Sequence, residues 1–247
     1  MFTPSELALA LVVLLAFSIE AALGFGATLV AVALGSFFID LDELLPALVP
    51  LNVLLSGFLV ARYFRAVEAR FLFTRLLPLM AIGLPLGQYA FHAVDASVLK
   101  RVFGIFVAVV AAIELKRMRE QRDAVPEPPK RAVEVVFLLL GGIVHGAFAT
   151  GGPMAVYVTG RVVHDKGAYR ATLSVLWLAL NLVLVASYGA SGALSPETLA
   201  LTGLLAPSLV LGLIIGEFAH HRVPVTTFRA GVFVMLLVAG TALVLRG

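Results

Sequence analysis

From Leu7 to Ile39 the chain carries a single charged residue, Glu20, in 33 positions. A small soluble domain cannot bury such a run on every side. A bilayer solvates it directly, and about 18 consecutive apolar residues suffice for one crossing. The pattern continues to the C terminus, with ten apolar segments at roughly 6–23, 27–39, 45–61, 71–91, 98–115, 132–149, 153–163, 170–189, 197–218 and 226–245. Composition agrees: 61% of residues are hydrophobic and 13% charged, with a mean hydropathy of +1.03. The short alternating strands of a transmembrane barrel are missing, so an all-α polytopic membrane protein is expected. "MFTPSE" lacks a positive leader and "EAALGFGATL" has no small-x-small cleavage site, so the first apolar stretch is expected in the mature protein.

Several function classes drop out early. There is no cysteine, hence no disulfide, thiol catalysis or Cys-ligated metal. Nothing has the form of a P-loop, so direct ATP drive is not expected, and no cofactor or metal is called for. The pI near 9.4 could suggest nucleic acid. The basic residues, however, lie between apolar spans, where membrane topology accounts for them, and no nucleic-acid partner is expected.

"KRMREQRDAVPEPPKR", residues 116–131, is the one substantial polar linker. It divides the chain into a first transmembrane repeat, 1–115, and a second, 132–247. Sliding the halves by 129 residues places Asn52 on Asn181, Pro78 on Pro207, Gly83 on Gly212, Gly87 on Gly216 and His92 on His221. Shared leucines mean little in apolar segments, but shared Asn, Pro, His and Gly point to a duplication. With the linker's six Lys/Arg residues in the cytoplasm, Arg62, Arg65, Arg70, Arg75, Arg161, Lys166 and Arg170 also fall inside. "DLDE" at 40–43 and "GASGALSPE" fall outside, with Lys100 and Arg101 dissenting. The basic loop of one half matches the charge-poor loop of the other, so two inverted repeats of about five segments each are expected.

Segments 27–39 and 153–163 have about 13 and about 11 residues against the roughly 20 of a full span. Whether they cross or re-enter, the chain returns to the side it came from. Both follow a glycine break at matched repeat positions, "LGFGAT" (Gly24, Phe25, Gly26, Thr28) and "FATGGP" (Thr150, Gly151, Gly152, Pro153). Such matched interruptions are the best sequence pointer to a transporter binding site. A helix beginning inside the membrane presents unpaired N–H groups and the positive end of its dipole, and Pro153 suits a helix start. Two such starts meeting at the midplane form an anion site without an arginine; otherwise the glycines serve close helix packing. Asn52 and Asn181 lie in apolar helices, where an amide bonds across helices or lines a cavity. Glu20 and His145 precede the breaks and are the candidates for ion coupling, although the sequence shows no partner for either. Gln88, His92, Glu217, His220 and His221 read as a solvated boundary.

"LGFGAT", its echo "FATGGP", an asparagine in the following helix, and two halves on a charged linker together resemble the TauE/SafE sulfite exporter family, over essentially the whole chain. Gly24-Phe25-Gly26-Ala27 stands where many relatives carry a richer glycine run, while the second half keeps Gly151-Gly152. The resemblance implies a bacterial inner-membrane permease for a small sulfur anion such as sulfite, sulfoacetate or another organosulfonate, commonly exporting. Alternating access, with protons as the first coupling ion considered and sodium or facilitated diffusion as alternatives, would follow. Oligomeric state is open, and lipid is the other partner. Two further readings compete. "GASG" at 189–192 has the form of an intramembrane serine protease motif, with Ser191 as nucleophile and His220 or His221 as base, but the serine and the histidines are predicted on opposite sides. A noncatalytic scaffold explains the composition but not the matched breaks.

Overall fold

A computed structural model describes residues 4–120, 127–222 and 225–246. The middle of the charged connector, 121–126 with Pro126, lies outside the described residues, as does the side chain of His221. Ten helices follow in order: α1 (Pro4–Leu23), α2 (Ala27–Gly35), α3 (Leu41–Tyr63), α4 (Ala69–Ala93), α5 (Ala96–Glu120), α6 (Arg131–Phe148), α7 (Gly152–Val162), α8 (Lys166–Ser191), α9 (Pro196–Arg222) and α10 (Val225–Arg246). They correspond to the ten apolar segments, and no strand occurs among the described residues. Helix α5 continues to Glu120, so part of the expected connector is helical.

Seven helices are long and apolar enough to cross a membrane over their described residues. Large apolar side chains such as Leu11, Ile82, Leu86, Ile113 and Ile214 point outward, while Phe17, Leu44, Leu48 and Phe103 fill the centre. Apolar surface inside and outside alike is the signature of helices solvated by lipid. The chain is therefore an all-α polytopic membrane protein. The 9-residue α2 and 11-residue α7 differ from the rest. At 1.5 Å per residue they reach about 14 and about 17 Å, half of a roughly 30 Å hydrocarbon layer. Each folds back on the helix before it, α2 on α1 and α7 on α6.

The main packing pairs are α1 with α9, α4 with α6, α3 with α8, and α5 with α10. Advancing every helix by five places exchanges the first two pairs and returns the last two to themselves. The matched glycines make the first two possible. Gly212 faces Leu14 and Ser18, and Gly216 faces Ser18, Ala21 and Ala22; Gly83 and Gly87 face Leu139, Gly142, Ile143 and Ala147. Both pairs run parallel, because rising numbers on one helix meet rising numbers on the other.

Contacts between helix ends then orient the bundle. At one end Arg75 and Arg131 both pair with Glu134, Arg117 pairs with Glu114, and Arg170 pairs with Glu217. Lys166 Nζ donates to the carbonyl of His220 at 2.8 Å at that end too. The opposite end carries Asp40 paired with Lys100 at 2.6 Å, so the dissenting lysine has a local carboxylate. Helix α6 starts at the basic end, whereas α1, parallel to α9, runs toward it. The hairpins α1–α2 and α6–α7 thus enter the bundle from opposite ends.

A methyl group at Gly216 would sit 2.5 Å from the Ser18 carbonyl oxygen, and one at Gly87 would overlap that of Ile143, whereas Gly57 faces open space. Gly87→Ala and Gly216→Ala should each destabilise the purified protein by about 1–3 kcal/mol. Gly57→Ala should be neutral or stabilising by up to about 1 kcal/mol. Thermal unfolding in detergent checks all three.

Candidate functional site

Helix α1 ends at Leu23, and the chain turns through Gly24 (φ 84°) and Gly26 (φ 110°) before α2 begins at Ala27. Both angles are in the left-handed region, where a Cβ is strained and glycine is not. Gly26 supplies no capping side chain. Glu20 does so instead, its Oε2 accepting the Ala27 N–H at 2.8 Å. In the second half Ala149 takes the left-handed angle (φ 51°) before the break, and His145 Nδ1 accepts the Gly151 N–H at 3.4 Å. The two ionisable residues for which the sequence showed no partner each cap the broken helix that follows. They do so without being repeat equivalents.

The halves meet at these caps. Glu20 Oε1 accepts from Asn52 Nδ2 at 2.9 Å, and Asn52 Oδ1 in turn accepts from Asn181 Nδ2 at 2.8 Å. The residues matched by the 129-residue shift are therefore bonded to each other. Ser56 Oγ also donates to Asn52 Oδ1, at 3.1 Å. Thr28 Oγ1 donates to the carbonyl of Ala149 at 2.6 Å, joining the start of α2 to the second break. Two buried polar atoms here have no hydrogen-bond partner, His145 Nε2 and Asn181 Oδ1. Because Nδ1 accepts from Gly151, a neutral ring carries its proton on Nε2.

These groups enclose one cavity, lined by Glu20, Gly26, Thr28, Asn52, His145 and Asn181 together with Ala149, Thr150, Gly151, Gly152 and Trp177. Nine of the twelve sequence-predicted residues line it. Gly24, Phe25 and Pro153 do not. The carbonyl of Gly24 accepts from Trp177 Nε1 at 2.9 Å and its Cα faces Arg170. Phe25 is buried against Gly152 from behind, and Pro153 occupies the first turn of α7. Trp177 and Ala149 escaped the sequence reading. Trp177 also stacks on His145 with ring centroids 5.7 Å apart, so it fixes both the first break and the second cap. It was findable as the chain's one tryptophan, one turn before Asn181 on the same helix face.

No lysine or arginine lines the cavity. Its free space is about 10 Å³, enough for about one water molecule. Between the cavity and the basic end, Arg170 pairs with Glu217 and lies over the ring of Tyr63, 4.8 Å from its centroid. The Tyr63 hydroxyl donates to Glu217 at 2.8 Å. Glu217, expected at a solvated boundary, is half-buried in this cluster. Ser191 closes α8 just before α9 begins, and His220 lies near the far end of the 27-residue α9, about 40 Å of helix. The Ser191 hydroxyl donates to the carbonyl of Tyr188 at 3.2 Å, and the protease pairing of Ser191 with His220 is not formed.

A curated relative, the probable inner membrane transporter protein TsaS of Comamonas testosteroni, is 24% identical over 169 residues, covering 68% of this chain and 69% of the relative. No solved structure matches the chain. The sequence model described as "Sulfite exporter TauE/SafE" matches residues 9–243, and on that match the chain belongs to the TauE/SafE family.

Proposed function

We propose that this protein is a secondary transporter that moves a small sulfur-containing anion, sulfite or an organosulfonate, across the bacterial inner membrane by alternating access around the paired breaks. The observation that carries the reading is the meeting of two mid-bundle helix starts from different halves in one buried polar cavity with an unpaired Nε2–H and an unpaired Oδ1. Backbone donors of this kind are tolerated within a membrane where they line a cavity. The family description and the name of the relative support the substrate class, the outward direction and the inner membrane. Two inverted repeats, 1–115 and 132–247, are supported by the exchange of helix partners and by hairpins entering from opposite ends. Glu20 and His145 are the groups for ion coupling, with protons ahead of sodium.

Gly152 gives a clean test, because a Cβ there meets only ordinary contact with Phe25 at 3.6 Å. Gly152→Leu should block the cavity at an overpacking cost of about 1–3 kcal/mol, and its helical circular dichroism checks that it folds. Of sulfite, sulfate, thiosulfate, sulfoacetate and taurine, at least one sulfur anion should raise the melting temperature of wild type and leave the variant unchanged. Equal shifts in both would remove the site from the breaks.

The linker, 116–131, is cytoplasmic in this reading, following its positive charge. Single cysteines in the cysteine-free chain test it. In intact cells a membrane-impermeant maleimide should label E197C and spare E127C until the membrane is permeabilised; the reverse pattern would invert the topology.

A further inference from the structure

The first break already faces a carboxyl group. Glu20 sits 3% exposed in the cavity wall with both carboxylate oxygens accepting, one from the first N–H of α2 and one from Asn52. Both oxygens act as acceptors in that arrangement. Asn52 is itself held by Asn181, whose remaining oxygen faces the same cavity beside the unpaired Nε2 of His145. The donors that a substrate anion needs at the first break are therefore engaged by Glu20. Two negative charges this close, in a cavity without lysine or arginine, repel at several kcal/mol even with partial screening.

We propose that Glu20 is an internal substitute for the substrate, so that each anion binds together with one proton taken up by Glu20. The inference rests on the reading of the cavity as an anion site. In the empty carrier the carboxylate occupies the start of α2. On loading, a proton from water adds to one carboxylate oxygen. That oxygen becomes a donor, and the Ala27 N–H and the Asn52 amide pass to the incoming anion. Nothing else is made or broken. With a monoanion the cavity holds one negative charge both empty and loaded, so transport is electroneutral. Net flow is outward whenever the anion ratio across the membrane exceeds the opposing proton ratio.

Other titratable groups near Glu20 are few. His145 reaches the cavity from α6. Toward the basic end stand Arg170 of α8 in its pair with Glu217 of α9, Tyr63 of α3, and His220 of α9, whose Nδ1 lies 2.7 Å from the carbonyl of Ala22. Helix α2 contributes none. Of these, only Glu20 and His145 line the cavity.

Calorimetric titration with methanesulfonate and with thiosulfate, whose own charges are constant near neutral pH, tests the proposal in buffers of different ionisation enthalpy. Wild type should take up about one proton per anion bound, and its affinity should rise about tenfold per unit fall in pH where Glu20 is ionised. Glu20→Gln should bind without proton uptake and without pH dependence. Binding to wild type without proton uptake overturns the proposal whether or not Glu20→Gln folds, as does uptake that persists in Glu20→Gln. Anion binding that survives Gly152→Leu, or no binding by wild type at any pH, ends the reading of the site itself.

Discussion

A backbone N–H left unpaired in hydrocarbon costs several kcal/mol, and both α2 and α7 begin in the interior of the bundle, where water does not reach. Each start is satisfied by a side chain placed six or seven residues earlier, on the helix that delivers the chain to the break: Glu20 for Ala27 and His145 for Gly151. The distance in sequence is what a hairpin imposes, since the capping residue lies nearly two turns back and the chain must reverse past it. Once the caps are fixed, the two asparagines have little freedom. Asn52 satisfies the second oxygen of Glu20, and Asn181 satisfies Asn52. The polar centre is thus a chain of bonds begun by the need to close a helix.

The hairpins keep their positions because small residues let their first helices press against partners. Gly212 and Gly216 bring α9 onto α1, and Gly83 and Gly87 bring α4 onto α6, at distances where backbone meets backbone. In lipid there is little hydrophobic gain from pairing apolar helices, so close van der Waals packing carries the association. Positive charge is gathered at one end, and buried or half-buried partners accompany it: Glu134 lies between Arg75 and Arg131, and Glu217 against Arg170. An unpaired guanidinium at that depth would be far more expensive.

The helices were legible because length and hydropathy are local properties, and the ten segments differ from the observed helices by only a few residues. The breaks were legible for the same reason, since glycine and proline mark them where they stand. Asn52 and Asn181 were found through the repeat, but their direct bond was not, because shared register does not say that two residues face one another. The partner of Glu20 was invisible: its first bond is to a backbone N–H that every residue but proline possesses. Glu217 was misjudged because charge near a helix end normally finds water, and only the packing of α3, α8 and α9 shows that Arg170 and Tyr63 reach it first. Trp177 was passed over as one more large apolar residue, although its indole N–H holds the Gly24 carbonyl across the two halves.

A site built from caps rather than cations suits a carrier that must be stable without its cargo. A buried arginine would hold an anion strongly, yet it would stand uncompensated each time the anion left, at a cost of several kcal/mol. Backbone donors avoid that penalty, because a neighbouring side chain can take them back. Here Glu20 and His145 are already in place to do so. In the proposed cycle, loading exchanges one set of acceptors for another, with little net change in the number of satisfied groups. Binding that is favourable enough to admit an anion but weak enough to release it is what a transport site requires. The two breaks meet that requirement by being capped differently, one by a carboxylate and one by an imidazole. In the proposed cycle only the first cap competes with the anion by charge.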